Sequence, residues 1–285
     1  MSCRSGDAVA ALPAEPGHAP RGRAAPAQVL EDQVAVVRAT GLKPGAHVTV
    51  RAELTDGDDR PWASEAEFVA DPNGVVDTSA QAPAKGSYRA ISAMGLVWSM
   101  MPAAKDVHIY RPMHDLASQM ISFHLLVDGK DTATAQLQQK AVGDGVRQIK
   151  LEGSLRGLYF APAGEGKHAG VLVLGGSEGG MQTRRAAWLA SHGFAALALC
   201  YFHCEGRPQE LENIPLEYFG QALAWMAERP EVDGQRLAVM GVSRGGELAL
   251  QLGSMDPVLK AVVAYVPANV RYPACCGRAN PQHAG

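Results

Sequence analysis

No stretch of the 285-residue sequence is apolar for long enough to cross a bilayer. The best runs, Val171–Leu174 and Phe194–Phe202, fall well short of the ~18 residues a helical span needs. No membrane span is therefore expected. Cysteine is scarce: Cys3, Cys200, Cys204, Cys275 and Cys276 are odd in number and irregularly spaced, which argues against a disulfide framework. Neither sign of charge is in excess. A net charge of −3 removes the electrostatic reason to expect nucleic acid or an anionic membrane as a partner. The start lacks the apolar segment of a secretory signal, and Asp7, Glu15 and the prolines around them do not suit an Arg-rich transit sequence. Residues 1–28, rich in Ala, Pro, Gly and Arg, are expected to form a disordered leader in a cytoplasmic protein. No internal repeat is visible.

What is present is a normal apolar share, 47%, spread over a length that suits two domains. From Val29 to about Gly145 the pattern has period two. Val48, Val50, Ala52 and Leu54 alternate with Thr49, Arg51 and Glu53, and Ile121, Phe123, Leu125 and Val127 repeat the rule. Turn residues punctuate these runs at Lys43-Pro44-Gly45, Asp56–Asp59, Asp71–Gly74 and Asp128–Lys130. Short strands without a convincing helix predict an antiparallel β-sandwich over 29–145.

Past Gly145 strand and helix alternate, which predicts an α/β domain with a mostly parallel sheet over 146–285. Strands are expected at Val171–Leu174, Phe194–Tyr201, Arg236–Met240 and Leu259–Val266. Helices are expected at Thr183–His192, closed by Gly193, at Pro215–Glu228 and at Gly245–Ser254.

Two segments fit Gly-x-Ser-x-Gly: Gly241–Gly245 and Gly175–Gly179. A serine nucleophile of this kind sits on a sharp strand-to-helix turn, and flanking glycines leave room for it. Ser243 has a strand before it and a helix after it, so it is the expected nucleophile. The Arg244 backbone N–H, at the helix start, is placed to help hold an oxyanion. Ser177 follows the first obvious strand of the α/β part, but glycines continue to Gly180. Gly175–Gly180 is therefore read as the second oxyanion loop, through backbone N–H groups of Ser177 and Glu178, with a plain glycine-rich turn as the alternative. His203, just past a strand end, is a candidate for reaching the pocket or a solvated loop histidine. Cys200 and Cys204 around it lack the second ligand pair of a metal site, so no metal is expected.

The sequence resembles the family of type I acyl-CoA thioesterases and bile acid-CoA:amino acid N-acyltransferases. The resemblance is carried by Gly41–Gly45, Trp62 with Ser64, Gly86-Ser87-Tyr88, Met94–Met100, Leu174–Gly180, Ala190–Gly193, Ile214–Phe219 and Gly241–Leu248. It implies a β-sandwich joined to an α/β-hydrolase, an acyl-CoA substrate, no cofactor beyond the coenzyme A carried on that substrate, and Ser243 as acyl-accepting nucleophile. Arg184, Arg185 and Arg244 are candidates to meet coenzyme A phosphates, or are simply solvated. A serine, unlike a cysteine, forms an oxygen ester that leans toward attack by water, so thioester hydrolysis is expected ahead of transfer to an amino acid. Family members carry an acid and a histidine on later strands. After Ser243 this sequence offers Glu247, Asp256 and His283, none of which follows a later strand. The chain is thus expected to be truncated and inactive by itself, with a non-catalytic acyl-CoA-binding fragment as the remaining alternative.

Overall fold

In the computed structural model, which describes residues 19–270, the chain divides between Lys140 and Ala141 into two units. The N-terminal unit contains strands β1 (Arg21–Ala25), β2 (Gln28–Leu30), β3 (Val36–Thr40), β4 (His47–Thr55), β5 (Pro61–Val69), β6 (Val76–Asp77) and β7 (Lys85–Gly86). The one-turn helix α1 (Gly95–Trp98) follows, then β8 (Met101–Pro102), β9 (Gln119–Val127) and β10 (Lys130–Lys140). Alternation in sequence becomes alternation of faces. Val48, Val50 and Ala52 of β4 point inward, as do Trp62, Ala66 and Phe68 of β5 and Ile121, Phe123 and Leu125 of β9. The ladders around β4 are antiparallel, with Ala52 opposite Ser64 on one side and Phe123 on the other.

The larger sheet runs β2-β10-β9-β4-β5-β7, with β8 also on β5, and β1-β3-β6 form a second. Ala24, Val37, Ala39 and Val76 of the small sheet share one core with Val50, Phe68, Ile121 and Leu137 of the larger, so the expected sandwich is present. Two details depart from the sequence reading. The turn of α1 breaks the all-strand pattern, packed so closely that a Cβ at Gly95 would collide with the Tyr88 ring. Residues 21–28, expected within a disordered leader, are instead structured: β1 pairs along β3 and β2 runs parallel to β10, with Gln28 opposite Gln138. Backbone ladders hold these strands, and only Ala24 of β1 is buried, so apolar alternation could not reveal them. Residues 1–18 lie outside the described residues.

The second unit begins with a hairpin, β11 (Arg147–Glu152) and β12 (Arg156–Ala161). It continues as β13 (His168–Leu174), α2 (Thr183–Ser191), β14 (Ala195–Leu199), α3 (Glu217–Ala227), β15 (Val232–Val242), α4 (Arg244–Met255) and β16 (Leu259–Tyr265). The sheet order is β11-β12-β14-β13-β15-β16, parallel from β14 to β16 and antiparallel across β11, β12 and β14. Leu172, Leu174, Leu197 and Leu199 are fully buried, as continuous apolar strands covered on both faces require. Gly193, at φ +87°, closes α2. On α3, Phe219, Leu223 and Met226 turn into the core, each contributing about 2 kcal/mol of burial.

Candidate active site

Chain order along the sheet reverses at β13. The connection through α2 carries the chain outward to β14, and the one through α3 returns it past β13 to β15. Loops leaving the carboxyl ends of β13 and β15 therefore diverge, and the crevice between them is where open parallel sheets bind ligands. Gly175 opens one of these loops and Ser243 is the other.

Ser243 adopts φ 54° and ψ −119°, a region that side chains other than glycine rarely enter and that costs about 1–3 kcal/mol. The corner is held from both sides. The Ser243 N–H donates to the carbonyl of Tyr265 on β16 at 2.9 Å, and the Ser243 carbonyl accepts from Gly246 N (2.8 Å) and Glu247 N (3.1 Å) to start α4. Glycines are needed on either side because the backbone folds onto itself: a Cβ on Gly241 would collide with the Gly245 carbonyl, and one on Gly245 with the carbonyl of Gly175. The Arg244 N–H is the first of α4. Its guanidinium Nη1 donates to Glu247 at 2.8 Å, an ion pair with both side chains largely buried.

The glycine-rich loop lies against this corner. A Cβ built on Gly176 would stand 3.3 Å from Ser243 Cβ and 2.7 Å from Glu178 Oε2, which puts Gly176 between the serine and the carboxylate. Glu178 Oε1 accepts from Gly176 N (3.0 Å) and Gln182 Nε2 (2.7 Å). The buried Tyr201 hydroxyl fixes the Gly175 carbonyl at 2.7 Å. The amides of Gly176, Gly179 and Gly180 thus have acceptors, Gly179 on Gly176 O and Gly180 on Phe202 O. The amides of Ser177 and Glu178 have none among the described residues. Gln182, Tyr201 and Tyr265 support the site, and no motif marked them in the sequence.

His203 lies on the loop after β14, exposed, with φ 55°. Its Cβ closes on Gly179, its N–H donates to Pro208 O at 2.7 Å, and its ring makes no hydrogen bond among the described residues. Cys200 and Cys204, on either side of His203, are joined in a disulfide with Cα atoms 6.6 Å apart, which corrects the reading that cysteine number and spacing argue against disulfides. Cys3, Cys275, Cys276 and His283 lie outside the described residues. Of the two acids after Ser243, Glu247 serves Arg244 and Asp256 accepts the Val258 N–H. Among the described residues no group of three or more His, Cys, Asp or Glu could hold a metal, and no helix is long and apolar enough to cross a membrane.

Residues 32–153 match the family model described as the acyl-CoA thioester hydrolase/BAAT N-terminal region, and residues 214–274 match its C-terminal counterpart. The chain belongs to the acyl-CoA thioesterase and bile acid-CoA:amino acid N-acyltransferase family. Similar members include acyl-coenzyme A thioesterase 6 of Mus musculus, 33% identical over 78% of this chain and 54% of that protein. Bile acid-CoA:amino acid N-acyltransferase of Homo sapiens is 36% identical over 86% of this chain and 60% of that protein. The chain spans between half and two thirds of the length of the relatives it matches. Among solved structures, a hyperthermophilic esterase from Pyrobaculum calidifontis aligns with a TM-score of 0.36 and 23% identity over 44% of this chain and 46% of that one.

Proposed function

We propose that this chain carries the nucleophile of an acyl-CoA thioester hydrolase. Ser243 Oγ bonds to the thioester carbon while the carbon–sulfur bond breaks, and coenzyme A leaves as the thiol with the proton the hydroxyl gives up. Water then cleaves the acyl-serine ester to the free acid. The N–H groups of Ser177, Glu178 and Arg244 receive the charge that develops on the carbonyl oxygen, the interaction that contributes most to acyl transfer. The single observation behind this reading is the strained, doubly anchored Ser243 at the switch point of a parallel sheet. The reaction needs no cofactor beyond the coenzyme A of the substrate.

Transfer to an amino acid is the second reading, favoured by relatives that carry that name. Release of free coenzyme A from acyl-CoA, followed with and without glycine or taurine, separates them. Free acid as the main product supports hydrolysis, and acyl-amide as the main product overturns it. Neither acid after Ser243 among the described residues is committed to a histidine. The 285-residue polypeptide assayed alone is therefore expected to turn over ~10³–10⁶-fold more slowly than an ordinary serine hydrolase. Ordinary turnover that Ser243→Ala abolishes would contradict this and mean that His203 or a partner chain supplies the base.

A further inference from the structure

Each carboxylate of the site already has a partner: Glu178 takes Gly176 N and Gln182, and Glu247 takes Arg244. One cation does not. Arg185, in the first turn of α2, has its Nη1 shut off from solvent with no hydrogen-bond partner, and no carboxylate pairs with it among the described residues. A guanidinium N–H withdrawn from water without an acceptor is a costly arrangement, and a bidentate oxyanion is the ligand whose geometry relieves it.

Its placement narrows the ligand. The Arg185 guanidinium lies over the Tyr265 ring, 5.7 Å from the centroid, and Tyr265 is the residue whose carbonyl holds the Ser243 amide. Tyr265 is itself 53% exposed. α2 itself begins just after the loop bearing the Ser177 and Glu178 amides. An unpaired fork over the aromatic face of the residue that anchors the nucleophile's amide suits an anion close to the reacting carbon. The phosphates of coenzyme A stand at the far end of a long uncharged arm. A carboxylate on a short acyl chain, or on an amino acid attacking the acyl-serine, is only a few bonds away.

We propose that Arg185, backed by Tyr265, forms a carboxylate subsite beside Ser243. This rests on the acyl-CoA reading above. The test is equilibrium binding of non-hydrolysable coenzyme A thioethers, one plain alkyl and one of matched length ending in a carboxylate, to the full chain. Glycine is titrated separately into protein saturated with the plain thioether. The expected result is about tenfold tighter binding of the carboxylate thioether, or saturable binding of glycine, lost in Arg185→Gln and reduced in Arg185→Lys. Both variants are expected to unfold cooperatively and still to bind the plain thioether, so that the loss is specific to the carboxylate. A carboxylate effect on the thioether alone places the anion on the acyl group, and one on glycine alone places it on the acceptor. Plain binding with no carboxylate effect in either arm overturns the subsite alone. No binding of either thioether overturns the acyl-CoA reading and the subsite with it.

Discussion

The backbone of Ser243 keeps φ 54° only because Tyr265 O takes its N–H and the first turn of α4 takes its carbonyl. Glycine at this position would accept the same angles without penalty. Ser243→Gly is therefore expected to raise stability by about 1 kcal/mol in urea unfolding, whereas Ser243→Ala, which keeps the strained Cβ, is expected to be near neutral. A Ser243→Gly variant no more stable than Ser243→Ala would mean the corner stores no strain. Asp56, buried at the other end of the chain, makes a different kind of anchor. Its carboxylate accepts from the N–H groups of Asp58, Arg60 and Arg111, from the Arg60 guanidinium, and from Trp62 Nε1 at 3.0 Å. Burial alone would raise its pKa, but these donors outweigh burial and hold it well below the ordinary carboxylate range. A depressed folded-state pKa contributes stability that is complete above the unfolded value, about 3.9, and is lost as pH falls below it. Asp56→Asn is expected to lower stability by about 3 kcal/mol at pH 7. It should also flatten the loss of stability between about pH 4 and pH 2, read by urea unfolding at each pH.

Elements differ in how far sequence exposes them. Those around the crevice were legible because each carries its own signal: apolar runs for β13 and β14, a closing glycine for α2, one apolar face for α3, and Gly-x-Ser-x-Gly between β15 and α4. The hairpin of β11 and β12 was not. In Arg147–Glu152 only Leu151 is buried, so an edge strand held by its ladder to β12 has no pattern to read. β1 is hidden for the same reason. Pairings between separate elements were equally invisible, among them Tyr201 on Gly175, Arg185 on Tyr265 and the Cys200–Cys204 bridge, because each depends on loop geometry that spacing does not encode. The contact of the two crevice loops depends on one such pairing. A Cβ on Gly245 would sit against the carbonyls of Gly175 and Leu174, both backbone atoms with nowhere to go. Gly245→Ala is expected to cost about 3 kcal/mol and to abolish acyl-CoA binding. Retained binding in a folded Gly245→Ala chain would show that the loops need not touch.

At the scale of the whole molecule, each unit buries its own core: residues from Ala24 to Leu137 form one and residues from Leu151 to Leu252 the other. The second is closed unevenly. β15 covers one side of β16, and among the described residues nothing pairs with its outer edge. Val262 leans on Gly253 of α4, while Val263 and Tyr265 fall on the opposite face, 38% and 53% exposed, and Val266 beyond them is 79% exposed. A strand edge with free ladder positions and apolar side chains is a template for another chain. The polypeptide is therefore expected to self-associate as concentration rises, seen as growth of the sedimentation coefficient. Val263→Lys, which places a charge on that edge without touching the Gly253 contact, is expected to suppress association while leaving the melting temperature unchanged. Equal association of the two proteins would move the sticky surface elsewhere, to the exposed Ile91, Trp98 and Met101 of the first unit. Matching monodisperse behaviour would instead show that the unpaired edge of β16 does not recruit a second chain.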